Sequence, residues 1–328
     1  MRGIRVKKAK SQWFPVFLVG IAILSCAQAE ERTASRKADP APFGPARRIG
    51  SIQDVRLTEC SGLDASPRNP DLFWAVNDGG NGPYLYALGG DGRSRGRVRV
   101  AGARNRDWEG LATFVHEDRS MILIADFGDN RERHDTHTLY VIEEPPLTGE
   151  KYTESAAVEP VWRIIFSYPD ENHDAEAVAV DSAGKRVLIL TKRDAPPLLF
   201  EVDVKSAPAD APVTARKIAE VDRIPPPSLT DLAQTYGMVY SHPTGMDLSP
   251  DGRRAVVLTY KHAYLFPRGP EETWAAAYSR KPIQIPLPHP RDHTDLRQRE
   301  AICFTSDGQA LIVTSEGENA GMYRLDIP

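Results

Sequence analysis

Three glutamates stand at the same place in a recurring phrase. Glu109 opens Glu-Gly-Leu-Ala-Thr (109–113), Glu176 opens Glu-Ala-Val-Ala-Val (176–180) and Glu300 opens Glu-Ala-Ile-Cys-Phe (300–304). Two more copies, at 61–65 and 245–249, put Ser61 and Gly245 in that place. The ends of the strands that follow add Asn77 and Asp78, Asp126, Lys192, Tyr260 and Lys261, and Ser315 and Glu316. If the fold brings these groups together, the carboxylates repel one another unless something offsets them. A divalent cation does so, and Ca²⁺, with six to eight oxygen ligands, suits Asp, Glu, Asn and carbonyls. The expected metal ligands are Asp78, Glu109, Asp126, Asp129, Glu176 and Glu300. In the alternative reading the glutamates cap a channel, bonded to water and backbone, with lysines offsetting their charge.

Asp126-Phe-Gly-Asp-Asn130 is the most suggestive segment: two Asp and one Asn hinged by a glycine. It resembles half of an oxygen-rich cation loop but lacks the distant Glu of an EF-hand, and a turn held by Asx bonds reads similarly. His134 and His137 follow on the same loop without a third ligand at diagnostic spacing, so they read as loop residues rather than a zinc site. If the site is catalytic, Glu109 or Glu176 would take a proton while Lys192 or Lys261 steadies developing negative charge. Trp108, Tyr236, Tyr240 and Tyr260 could line a cleft for a sugar or an aromatic ring; Trp108 reads equally well as packing. The sequence contains no P-loop, His-Glu-x-x-His or dinucleotide fingerprint.

The elements that position these residues are hairpins. Each phrase opens an apolar strand, meets a turn such as Ser249-Pro-Asp-Gly or Ser306-Asp-Gly, and returns in a second strand (Leu72–Val76, Met121–Ala125, Val187–Thr191, Ala255–Thr259, Ala310–Thr314). Hairpins repeating about every 50–70 residues with no helical stretch between them are the mark of an all-β propeller. Four strands can be assigned to each of four repeats, starting at Ser61, Glu109, Glu176 and Gly245. The last repeat offers only three, and Ala46–Gln53 supplies the missing outer strand. That gives five blades closed by both chain ends, which leaves no sheet edge at the seam. A sixth blade could hide only in 223–243, where Pro225-Pro226-Pro227 argues against it; six or seven blades is the alternative. Strand direction puts the acidic and cationic loops on one face and plain Asp/Gly/Pro turns on the other.

Residues 1–29 read as an export signal: five cations, then a short apolar core from Trp13 to Leu24. Cleavage before Cys26 would leave a lipid-anchored N-terminus, whereas Ala27-Gln-Ala29 fits an ordinary signal-peptidase site. The protein is therefore expected to be exported: periplasmic, lipid-anchored or secreted, and in contact with a membrane only through that lipid. Residues 30–45 read as a tether and 46–328 as the propeller. Removing the leader's five cations from 41 leaves 36 basic against 45 acidic residues, a net charge of −9. That argues against a nucleic-acid partner. A monomer with a small-molecule or protein ligand is expected. Cys60 and Cys303 fall in the first and last repeats, which ring closure places side by side; they are either a disulfide or two small buried residues.

Ser61-Gly-Leu-Asp, Leu72-Phe-Trp-Ala-Val-Asn-Asp-Gly-Gly, Leu85-Tyr-Ala-Leu, Asp107-Trp-Glu-Gly-Leu-Ala and Ile124-Ala-Asp-Phe-Gly-Asp-Asn together resemble the bacterial exported propellers grouped as SdiA-regulated. The Glu-Gly-Leu-Ala phrase also resembles the propellers described as having esterase-like activity of phytase. The resemblance spans residues 60–145. It implies a periplasmic or surface propeller holding Ca²⁺ through Asp78, Glu109, Asp126 and Asp129. Gly245 departs from a fully acidic ring. Two functions are open: a propeller that binds a ligand or partner on its acidic face, and a metal-dependent hydrolase of phosphate or carboxylic esters. A two-carboxylate glycosidase is a third.

Overall fold

The computed structural model describes residues 43–205, 211–289 and 294–328. The leader at 1–29 and nearly all of the 30–45 tether lie outside the described residues. Five antiparallel blades form the ring. Numbering from the inner strand outward, blade 1 comprises Cys60–Ala65, Leu72–Asn77, Tyr84–Gly89 and Ser94–Val100. Blade 2 comprises Trp108–His116, Arg119–Asp126, His137–Glu143 and Trp162–Ser167, and blade 3 Ala175–Asp181, Arg186–Thr191, Leu198–Asp203 and Arg216–Glu220. Blade 4 comprises Pro243–Leu248, Arg254–Thr259, Ala263–Pro267 and Ile283–Ile285. Blade 5 takes Arg299–Phe304, Ala310–Ser315 and Gly321–Asp326 from the C-terminal end and Arg47–Ser51 from the N-terminal side. The expected closure is therefore present: Arg47 pairs with Arg324 and Ser51 with Gly321.

Alternation along each strand explains the core. Val187 and Ile189 face blade 2, while Leu188 and Leu190 face blade 4, so each sheet buries both surfaces in the wedges beside it. Five such wedges, one per blade junction, make up the core. Two short strands, Ala157–Val158 and Val213–Thr214, add in parallel to the outer edges of blades 1 and 2 and shield them.

Residues 223–242 hold no strand, which settles the count at five blades. They form a short helix, Leu229–Leu232, and a 3₁₀ turn, Gly237–Val239. The expectation of no helical stretch fails here and at Trp274–Tyr278. Ser228 and Asp231 form a capping box, and Thr273 caps the second helix.

Cys60 and Cys303 are buried in the wedge between blades 5 and 1, and both are free thiols. The disulfide reading is corrected: these are the two small buried residues of the alternative. Burial holds both thiols above their ordinary range.

Candidate metal and ligand site

Each inner strand carries a bulge one residue after it begins. The ladder skips between Cys60 and Gly62, Trp108 and Gly110, Ala175 and Ala177, Pro243 and Gly245, and Arg299 and Ala301. The extra residue is Ser61, Glu109, Glu176, Thr244 or Glu300. Thr244, rather than Gly245, is therefore the blade 4 counterpart of the glutamates. A bulge frees its residue from the ladder and re-aims the side chain. Two bulge residues act structurally: the Ser61 hydroxyl donates to the Trp108 carbonyl at 2.8 Å and the Thr244 hydroxyl to the Arg299 carbonyl at 2.7 Å, each bridging to the next blade. The other three, Glu109, Glu176 and Glu300, line the narrow central constriction. They are 4%, 4% and 6% exposed.

The carboxylates divide according to what satisfies them. Glu176 takes the Lys192 ammonium through Oε1, while its Oε2 is buried with no hydrogen-bond partner. Burial would discharge Lys192, but Glu176, with Glu300 and Glu109 beyond it, holds the ammonium charged. Glu300 accepts from the Tyr260 hydroxyl at 2.8 Å. Burial, then the neighbouring Glu300, pushes Glu316 up to about 9. Asp126 accepts the Asp107 N–H at 2.8 Å, and Asp129 accepts the N–H groups of Arg133 and His134 at 2.6 and 2.7 Å. Both are occupied in fixing loop backbone. Lys261 pairs with Asp231 at 2.6 Å rather than with a channel carboxylate. His137 Nδ1 meets an Arg106 nitrogen at 3.3 Å, and burial lowers this histidine to about 4.

One group is left without such partners. Carboxylate oxygens of Asp78, Asp107 and Glu109 lie within 4.8 Å of one another. The backbone around Asp107 is tied down. Asn105 donates to the carbonyls of Asn77 and Asp78 at 3.1 and 2.9 Å and accepts the Trp108 N–H at 3.0 Å; Gly128 N–H donates to the Asp107 carbonyl at 3.1 Å. Among the described residues no hydrogen bond reaches the carboxylates of Asp107 or Glu109. Asp78 accepts only the Gly79 N–H, and burial followed by the charges of Asp107 and Glu300 leaves it at about 6. Burial likewise raises Asp107 and carries Glu109 well above the usual range, with Glu176 and Asp78 adding to Glu109. The cradle needs glycine. A Cβ on Gly128 would stand 2.5 Å from Glu109 Oε1 and 2.6 Å from Asp107 Oδ2, and one on Gly79 would collide with Asp107 Oδ1.

Of the expected ligands, Asp78 and Glu109 are thus brought into the unpaired group, while Asp126, Asp129, Glu176 and Glu300 have other bonds. Asp107 was missed, although it stands two residues before Glu109. The signal available was its place beside a strand-opening Glu and across from Asp126.

The opposite end of the ring holds two buried carboxylates that sequence reading passed over. Asp64 accepts the N–H groups of Ala65 and Thr113 at 2.7 and 2.6 Å, and Asp247 those of Leu248 and Phe304 at 2.6 and 2.7 Å. At matched positions in blades 1 and 4, they sew each inner strand to the next. Burial, opposed by those N–H groups, raises Asp64 to about 7, and burial together with Asp64 raises Asp247.

No protein-family profile and no curated protein matches the chain. Among solved structures it is similar to a luciferin-regenerating enzyme at 11% identity, covering 86% of this chain and 95% of that one, with a TM-score of 0.44. It is also similar to a gluconolactonase from Xanthomonas campestris at 12% identity, covering 88% and 96%, with a TM-score of 0.44. The molecule is a five-bladed propeller with an acidic channel mouth.

Proposed function

We propose that this is an exported, monomeric propeller that holds a divalent cation on Asp78, Asp107 and Glu109 and uses it to bind a small molecule at the channel mouth. The observation that carries this reading is the unpaired group itself: three carboxylates with oxygens within 4.8 Å, on fixed backbone, with no cation of the protein bonded to them. An all-oxygen set favours Ca²⁺ over softer metals, with carbonyls or water completing the shell. The resemblance of residues 60–145 to SdiA-regulated propellers supports the same reading. Its test is thermal unfolding with Ca²⁺ and with EDTA, in wild type and Asp107→Asn.

A second reading, ester or phosphoester hydrolysis, is favoured by Glu176. Its Oε2 is buried without a partner while Lys192 fixes Oε1, which places a proton acceptor on the channel wall. The cation would supply charge stabilisation when bound. Turnover of p-nitrophenyl esters or phosphates by the Ca²⁺-loaded protein, lost in Glu176→Gln, would support it. A wild type that turns over neither removes it.

A further inference from the structure

Beside the constriction lies a cavity of about 800 Å³, large enough for a drug-sized molecule. Lys192 and Tyr260 belong to its wall, and both also bond channel glutamates, so the cavity adjoins the constriction. The wall carries Lys192, Arg193 and Arg297 and no carboxylate, in a chain whose net charge is negative. Two of these cations are neutralised locally: Lys192 by Glu176, and Arg193 by the buried Asp174 at 2.6 Å. Arg297 has no hydrogen bond or ion pair among the described residues. One uncompensated positive charge therefore faces the space. Tyr236, Tyr240 and Tyr260 supply flat apolar surface around it. Tyr236 is 76% exposed, which is unusual for a tyrosine without a partner to cover it. His242 adds an Nδ1 with no hydrogen-bond partner.

We infer that this cavity takes an organic anion with a flat, apolar or aromatic body, its anionic group on Arg297 and its body among the tyrosines. This names the ligand class for the channel-mouth site and rests on the reading that this mouth binds a small molecule. The shared chemistry is an organic anion; carboxylate and phosphate are its two sources.

The test is calorimetric titration of the full chain with 2-naphthoate, 2-naphthyl phosphate and the neutral 2-naphthylmethanol, each with Ca²⁺ and with EDTA. At least one anion is expected to bind about tenfold or more tighter than the alcohol, the effect of one charge-assisted contact. Arg297→Met should erase that margin, and Tyr236→Ala should weaken anion and alcohol alike. Both side chains are exposed, so neither variant threatens folding. The inference is overturned if neither anion binds the Ca²⁺-loaded protein, if the alcohol binds as well as the anions, or if Arg297→Met leaves the margin intact. An anion that binds in EDTA with full dependence on Arg297, in a protein whose melting ignores Ca²⁺, upholds this inference while the cation reading falls.

Discussion

Adding Ca²⁺ should raise the melting temperature by an amount the site geometry allows one to work out. At a separation of 4.8 Å, two ionised carboxylates repel by about 3.5 kcal/mol at an effective dielectric near 20. Burial first, and this repulsion in addition, makes the apo protein hold protons there, so Asp78, Asp107 and Glu109 all lie above their ordinary values. A cation that displaces those protons stabilises the folded state by mass action, about 2.7 kcal/mol at a hundredfold excess over its dissociation constant. For a propeller of this size that is roughly 4–5 °C. Scanning calorimetry at pH 7.5 with millimolar Ca²⁺ against EDTA measures it. Protons and cation compete, so the shift should shrink when the experiment is repeated at pH 5. Asp107→Asn should abolish the shift while leaving apo stability equal or higher, because it removes a repulsion rather than a bond. Asp129→Ala should do the reverse, losing about 2–4 kcal/mol from two N–H groups left without their carboxylate while keeping the shift. A change under about 1 °C with Ca²⁺, Mg²⁺ and Mn²⁺ alike, or a full shift in Asp107→Asn, refutes the cation site.

Gly128→Ala should destroy the Ca²⁺ response at an overpacking cost of about 1–3 kcal/mol, since its methyl would intrude on Glu109 and Asp107; urea midpoints with and without Ca²⁺ check both. The Asp64–Asp247 pair should make the EDTA-treated protein less stable as pH rises from about 4 to 7. With folded-state values raised above the unfolded 3.8, the native state holds protons that the unfolded chain has released across that window. Asp64→Asn should lower stability at every pH but flatten the decline, and urea midpoints that fall in parallel with wild type would contradict this. Cys60 and Cys303 should resist a thiol reagent in the native protein and both react in denaturant, as counted by mass spectrometry.

The blades could be read from the sequence because their signals are local. Period-two alternation and Asp-Gly or Pro-containing turns mark hairpins without reference to distant residues, so the expected Leu72–Val76 and Ala310–Thr314 fall one residue short of the strands found, Leu72–Asn77 and Ala310–Ser315. The shortage of one strand at the C-terminal end likewise pointed to Ala46–Gln53 as its complement. The bulges were not legible: whether Thr244 or Gly245 matches Glu109 depends on the ladder with Thr259 and Leu258, not on spacing from the phrase. Nor could composition sort the carboxylates. Asp126, Asp129 and Asp107 look alike as letters, yet two are occupied by backbone N–H groups and one is free. Lys192 and Lys261 each follow a second strand, but one meets Glu176 and the other Asp231, a residue of the stretch between blades 3 and 4. The sequence by itself determined a ring of hairpins with oxygen-rich side chains at one mouth. Only tertiary structure decided which of those oxygens lack a partner, because the partners come from other loops, strands and blades, and electrostatic energy at a few ångströms depends on those distances.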